Sequence, residues 1–497
     1  MEHEHGVVNA EYEPLRRLMR GFPLEDSLPV IWQLSRHLSG YGDHGISGCP
    51  FPDLRKKIFP FQLSLLCREL LLNGTVRGEG RNLSRWRDLA AALNAIMAFS
   101  DKVSSVTQDT FQLELHRIGQ QQLPSQRRFS LSKFMRYVLL YEHPAVAPVV
   151  EKALEMSARE YSILGFVTYT QFSKGPRFVT NLDLTRLGVR DSSRDRFFGR
   201  MSGHFSLARA LLDDARRFDH TWQYTFNFLD DKPLVSLDPL HPERVYCPEP
   251  ERAMARFTDG IFYLLLGQPE FGNAFGCAFE EYAGLVIERA CSSGRIVVDR
   301  ERPFFVGKKI NHGADFILSD ATGNVFVECK TKRLALRGRV AASQNDLDEE
   351  LDVLAGAVVQ NYRNIQLALR GQTHWKKNAL PSMNLVVTLA DWNLLSPQAW
   401  FDLHARIEEQ LERKGLSGIQ REVPYAIVSV EAFEAFCCAI NSTSINDVTG
   451  PAFGARGGEW QLGGQVQSRY PDAVRISEQL FQDEFADYGR GIIGANP

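Results

Sequence analysis

Asp315, Glu328 and Lys330 stand where they could do phosphate chemistry together. They lie in Gly313-Ala314-Asp315-Phe316-Ile317-Leu318 and Val325-Phe326-Val327-Glu328-Cys329-Lys330, separated by the turn residues Ser319-Asp320-Ala321-Thr322-Gly323-Asn324. That pattern predicts strands over 314–318 and 325–329 joined as a β-hairpin. Glu328 and Lys330 are two apart and project from one face, while Val327 and Cys329 point the other way. Asp315 opens the partner strand and can lie opposite them. Two carboxylates and one ammonium then meet at one end of a sheet. Crowded carboxylates repel, and an oxygen-seeking cation such as Mg²⁺, for which Mn²⁺ can substitute, relieves the repulsion. Such an ion polarises a phosphodiester and lowers the pKa of a bound water. Lys330 would orient that water or stabilise charge developing on the phosphate.

These residues need a scaffold, and the chain is long enough to supply one. Its 497 residues amount to about three domains at ~150 residues each. With 44% hydrophobic and 24% charged residues it is neither disordered throughout nor a coiled coil. The net charge of −3 leaves no global field driving the chain onto nucleic acid or membrane. The start, MEHEHGVVN, lacks the apolar core of a signal peptide. The run from Gly260 to Leu266 falls far short of the ~20 residues that span a bilayer. A cytoplasmic protein with no membrane partner is expected. The eight cysteines show no CxxC or CxxH spacing, which supports neither a disulfide framework nor a zinc site.

The chain divides by pattern. Residues 1–120 read as mainly helical, with Leu89, Leu93, Ile96 and Met97 at helical spacing. Region 121–250 is basic: residues 127–217 hold 16 cations against 9 acids. It reads as mixed α/β or helix-turn-helix-like. In 184–200, Ser192 or Ser193 would cap a second helix that turns Arg194, Arg196 and Arg200 toward a duplex. Five prolines over 233–252 mark a linker. Region 251–440 alternates helix and strand, with helices over 275–290, 347–369 and 397–414. Its strands are expected over 295–298, 314–318, 325–329, 384–389 and 425–430, an α/β layer pattern with a mixed sheet. Residues 441–497 read as a Gly-rich loop and a terminal helix over 472–485.

The Asp-x12-Glu-x-Lys pattern, on a hairpin that follows a helix containing Phe279-Glu280, resembles the PD-(D/E)xK nuclease superfamily over roughly residues 260–440. The resemblance implies a restriction-endonuclease-like core, a mixed sheet flanked by helices, in the C-terminal half. It also implies a Mg²⁺-dependent nuclease acting on DNA, with Asp315, Glu328 and Lys330 catalytic. Glu280, or else Glu281, would join Asp315, Glu328 and the Cys329 backbone carbonyl as metal ligands. Gln360 on the long helix and Lys332 beyond the strand are accessory candidates. Ala314 stands where the family often has proline, and the polar stretch 337–346 weakens the Gln360 match. His312, and His3 with His5, carry no expected role. Segments such as Tyr246-Cys247-Pro248 and 257–263 look like those of bacterial proteins that join a large N-terminal region to such a nuclease, many of them in antiphage defence. A regulatory protein or a second copy of the chain are expected partners beside DNA. RNA cleavage by the same residues, or a non-catalytic nucleic-acid binder on a degenerate nuclease fold, are the alternatives.

Overall fold

A computed structural model describes residues 2–78, 80–104, 111–125, 130–300, 302–334, 344–453 and 462–493. The apolar runs Val325-Phe326-Val327 and Leu385-Val386-Val387 leave no face for water, so their strands must be covered on both sides. They sit in a five-stranded mixed sheet made by β1 (Val297–Arg300), β2 (Phe316–Ser319), β3 (Asn324–Lys330), β4 (Ser382–Thr388) and β5 (Tyr425–Ser429). The spatial order is β5-β4-β3-β2-β1. β3, β4 and β5 run parallel, while β2 is antiparallel to both β3 and β1.

Helices α1 (Phe271–Ala290), α2 (Gln344–Leu369), α3 (Pro397–Arg413) and α4 (Val430–Ser442) cover this sheet. α2 and α3 are the crossovers between parallel strands, and Leu351, Leu354, Val358, Ile365, Leu403 and Ile407 pack with Phe326 and Val386 on one face. On the other face Phe275, Phe279 and Val286 of α1 and Phe433 and Phe436 of α4 pack with Val325, Val327 and Val387. Every expected element of this region is present, with shifted bounds. The first strand begins two residues later than 295, and α2 begins three residues before 347. A short hairpin, Phe304–Val306 paired with Lys309–Asn311, is inserted before β2.

Residues 1–120 are mainly helical, with helices Glu2–Arg20, Leu24–Leu38, Pro60–Asn73 and Trp86–Val103; His3 and His5 fall on the first. The segment read as a linker is not one. Leu234–Ser236 and Arg244–Tyr246 are the inner strands of a four-stranded sheet, flanked by Ser202–His204 and Arg177–Val179. Pro233, Pro239, Pro242, Pro248 and Pro250 all lie outside the strands, where the missing N–H costs no ladder bond. Val235 and Tyr246 face the core of the N-terminal helices. Leu234, Val245 and Cys247 face the core shared with α1 and α4. The supposed spacer is thus a wall packed on both sides.

The helix-turn-helix expectation is also corrected. Thr185–Leu187 is a single 3₁₀ turn, ended by Gly188 in the left-handed region (φ 72°), and one helix, Asp191–Met201, follows. Ser192 and Ser193 lie inside that helix, and Arg190 occupies its N-cap position. Region 121–250 builds no core of its own among the described residues: helices Leu131–Tyr141 and Ala158–Phe172 pack into the core of α1. The C-terminal region holds helices Ile445–Phe453, Leu462–Arg469, Pro471–Ser477 and Gln482–Ile493 in place of a loop and one helix. Part of the Gly-rich stretch, 454–461, lies outside the described residues, as does 337–343 of the polar stretch before α2.

Candidate active site

The hairpin β2–β3 brings Asp315, Glu328 and Lys330 together. Phe316 pairs with Val327 at the start of β2, which leaves Asp315 just outside the ladder. Its Oδ2 accepts the backbone N–H of Cys329 at 2.6 Å, pinning the carboxylate against β3. Glu328 is only 2% exposed. Its Oε1 accepts from Lys330 Nζ at 2.6 Å, as their shared strand face requires. Its Oε2 accepts from Asn364 Nδ2 of α2 at 3.3 Å. The same Asn364 amide donates to the Gly313 carbonyl at 3.0 Å. One side chain of the crossover helix therefore ties the approach to Asp315 and the Glu328 carboxylate to a common point.

The electrostatics set this place apart. Burial, then the Glu328 charge, then Glu280, push the Asp315 carboxyl far above the ordinary carboxylate range, against the Cys329 N–H and Lys330. Burial also raises Glu328, opposed by Lys330 and by the Asn364 amide, while Glu280 again adds to the rise. For Lys330, burial alone would depress the ammonium, but Glu328 outweighs it and the net shift is upward. Two enclosed acids that cannot comfortably ionise together share protons as a pair. A divalent cation relieves the same repulsion.

Glu280 is exposed on α1 and acts on the half-buried Asp315 and the buried Glu328 through its charge. Glu281, the other candidate, accepts from His143 Nε2 at 3.0 Å. Glu280 is therefore the helix acid that bears on the site. Asp315, Glu328 and the Cys329 carbonyl present oxygen donors, the chemistry a hard cation prefers. Among the described residues, however, no three His, Cys, Asp or Glu side chains are gathered closely enough to form a ready metal cluster.

The remaining candidates scatter. Lys332 is exposed beyond the end of β3, and His312 is exposed in the connection before β2. Gln360 is exposed on α2; the helix side chain that touches Glu328 is Asn364, one turn later. Asn364 was missed by sequence reasoning. The available signal was a pair of amides, Asn361 and Asn364, on the buried stretch of α2, where an unpaired amide is costly. Arg194, Arg196 and Arg200 are held by their own chain. Arg194 bonds Asp191, Asp195 and the Leu182 carbonyl. Arg196 pairs with Glu155 at 3.0 Å, and Arg200 donates to the Ala153 carbonyl. These contacts brace the helix Asp191–Met201 against its neighbours, while Arg196 stays exposed.

No helix among the described residues is long and apolar enough to cross a membrane. Comparison of the chain with models of known protein families, with curated proteins and with solved structures returns no match.

Proposed function

We propose that the chain is a divalent-metal-dependent nuclease that hydrolyses phosphodiester bonds, with DNA as its substrate, on a restriction-endonuclease-like core in the C-terminal half. The observation that carries the reading is the enclosed pair Asp315 and Glu328, their carboxyls pushed upward by burial and by acidic neighbours, with Lys330 on the same strand face. The order helix, three antiparallel strands, helix, strand around that pair supports it as well.

Asp315, Glu328 and the Cys329 carbonyl would hold Mg²⁺, with Glu280 contributing from α1, and the ion would supply a polarised phosphate and an acidified water. The protein's own groups do the rest. Asp315 is fixed by the Cys329 N–H, Glu328 by Lys330 and Asn364, so the donors are positioned before substrate arrives. Lys330 keeps its proton, because Glu328 raises its pKa, and offers it as a charge-assisted donor to the phosphate oxygen.

The test is cleavage of supercoiled plasmid, linear duplex, single-stranded DNA and RNA, with Mg²⁺, Mn²⁺ or EDTA, by wild type and Lys330→Ala. Metal-dependent cutting that falls about 10²–10³-fold in the variant, with far-ultraviolet circular dichroism unchanged, supports the proposal. Equal rates in the two proteins overturn it. The lack of a tight three-acid group among the described residues favours one other reading, a nucleic-acid binder that does not cut. Retention of DNA in a gel shift with no product from wild type in either metal would select it.

A further inference from the structure

The hairpin inserted between β1 and β2 has a feature that the proposed chemistry leaves unused. Its strands Phe304–Val306 and Lys309–Asn311 pair antiparallel, Phe305 opposite Ile310. Cross-strand partners share a face, and this face is turned to solvent: Phe305 is 69% and Ile310 56% exposed. At the tip, Gly307 adopts the left-handed backbone that favours glycine (φ 62°), and Lys308 and Lys309 are both exposed. The base is firmly seated. Phe304 is buried, the Pro303 carbonyl lies 3.3 Å from His374 Nε2, and the Gly313 carbonyl is held by Asn364.

A ribbon of three-residue strands cannot bury its own outer face, and an exposed apolar pair on a fixed base, crowned with cations, is a recognition surface. Its position names the partner. Ile310 is five residues before Asp315, so their Cα atoms lie within about 18 Å of each other. A polyanion that brings one phosphate to Asp315 and Glu328 comes within reach of the hairpin. A two-stranded β-ribbon also fits the major groove of B-DNA, where apolar side chains meet thymine methyls and lysines meet phosphates.

We propose that the hairpin 304–311 is a DNA-contacting finger, with Phe305 and Ile310 against base edges in the groove and Lys308 and Lys309 on the backbone. This rests on the nuclease reading, because it is the phosphate at Asp315 that places the duplex there.

The experiment is fluorescence anisotropy of a labelled duplex with the full chain in EDTA, so that binding is read without cutting, over a series of salt concentrations. Lys308→Glu/Lys309→Glu should weaken binding at least tenfold and lower the salt slope by about 2, close to one for each phosphate no longer neutralised. Phe305→Ser/Ile310→Ser should weaken binding about tenfold and leave the slope unchanged, since the lysines still meet the phosphates. All four residues are exposed, so the fold tolerates the changes; thermal melts check this. Wild type that binds duplex, with both variants binding equally well, overturns the finger and leaves the nuclease reading intact. Wild type that binds no duplex in EDTA or in Ca²⁺ overturns the finger, and the nuclease reading falls with it only if no nucleic acid is cut in Mg²⁺ or Mn²⁺. Wild type that sediments as a dimer, with Phe305→Ser/Ile310→Ser a monomer of unchanged DNA affinity, gives the surface to a second copy of the chain and also overturns the finger.

Discussion

Asp259 and Asp315 are two acids set among buried groups in the same half of the chain, and their surroundings have opposite sign. Asp259 lies 3.3 Å from Lys133 Nζ and 3.2 Å from the Arg333 guanidinium, and it accepts the Tyr137 hydroxyl. Burial would raise its pKa, but Lys133, Arg333 and Tyr137 outweigh burial and hold it below the ordinary range. Asp315 has burial, Glu328 and Glu280 all pushing upward, and the Cys329 N–H and Lys330 do not offset them. The first cluster is architecture. It fastens Arg333, three residues beyond Lys330, to the helix Leu131–Tyr141 of the preceding region. In the second, burial and acidic neighbours outweigh the Cys329 N–H and Lys330, which is the electrostatic pattern on which the proposed function rests.

The largest effect should come from breaking the compensated cluster. Arg333 is buried, donates to Tyr137 and Asp259, and stacks over Phe262 at 4.7 Å. Arg333→Leu takes the guanidinium from Asp259, leaving it Lys133 and the Tyr137 hydroxyl, and removes a buried cation's bonds to Tyr137 and Asp259. A loss of about 3–5 kcal/mol in urea unfolding is expected. A loss below about 1 kcal/mol would mean that Lys133 and Tyr137 alone compensate Asp259 and that Arg333 is not what fastens the cluster.

Glu328→Gln tests the other member. It should lower metal-dependent cleavage about 10²–10³-fold. It should not lower stability, because the amide removes a carboxylate that burial already disfavours. An unfolded variant would place Glu328 with Asp259, as part of the framework.

The two acids also predict opposite responses to pH. The folded-state pKa of Asp259 is depressed, so its contribution is present above the ordinary carboxylate range and is lost as pH falls through the folded value. The folded-state pKa of Asp315 is raised, so its contribution is present below the ordinary range and is lost as pH rises through the folded value. Asp315→Asn should therefore melt higher than wild type at roughly pH 9, by about 1 kcal/mol or more, and gain little at roughly pH 4. Mg²⁺ should narrow the gap at high pH by stabilising wild type alone. A gain independent of pH would show that Asp315 does not titrate in that window.

How far the sequence carried these conclusions depended on how local each cause was. The β2–β3 hairpin and the common face of Glu328 and Lys330 follow from turn residues and a period of two, so they were legible. The alternation of strands and helices over 271–442 was legible because β3 and β4 are wholly apolar at their centres and α2 keeps a long stripe. The linker reading failed because proline density was taken without proline position: all five prolines lie outside the strands, Pro250 opening a helix, and burial of Leu234 and Val235 on opposite faces is a tertiary fact. The pairing of the arginines was hidden for a related reason. Charge is visible in the sequence, whereas Glu155 and the Leu182 and Ala153 carbonyls that engage it are brought near only by the fold. Asn364 was hidden because its importance lies in what it bridges, two points 36 and 51 residues away.

That bridge supplies the sharpest test of how the two acids differ. Among the described residues, Asn364 is the helix side chain that donates to Glu328, and its amide lowers the Glu328 pKa only in part. Asn364→Ala removes that donor and frees the Gly313 carbonyl, so Asp315 and Glu328 lose a shared anchor. A fall of about 10–100-fold in cleavage rate is expected, the usual cost of losing a group that orients metal ligands. General loosening of the core would lower stability and leave the pH dependence of the reaction alone. A role in poising the carboxylate moves it: without the amide, the Glu328 pKa climbs further, its ionised form requires higher pH, and the acidic limb of the pH–rate profile shifts upward. Asn364→Ala with a reduced rate and an unmoved acidic limb would make Asn364 a packing residue and leave Lys330 alone to offset the Glu328 charge.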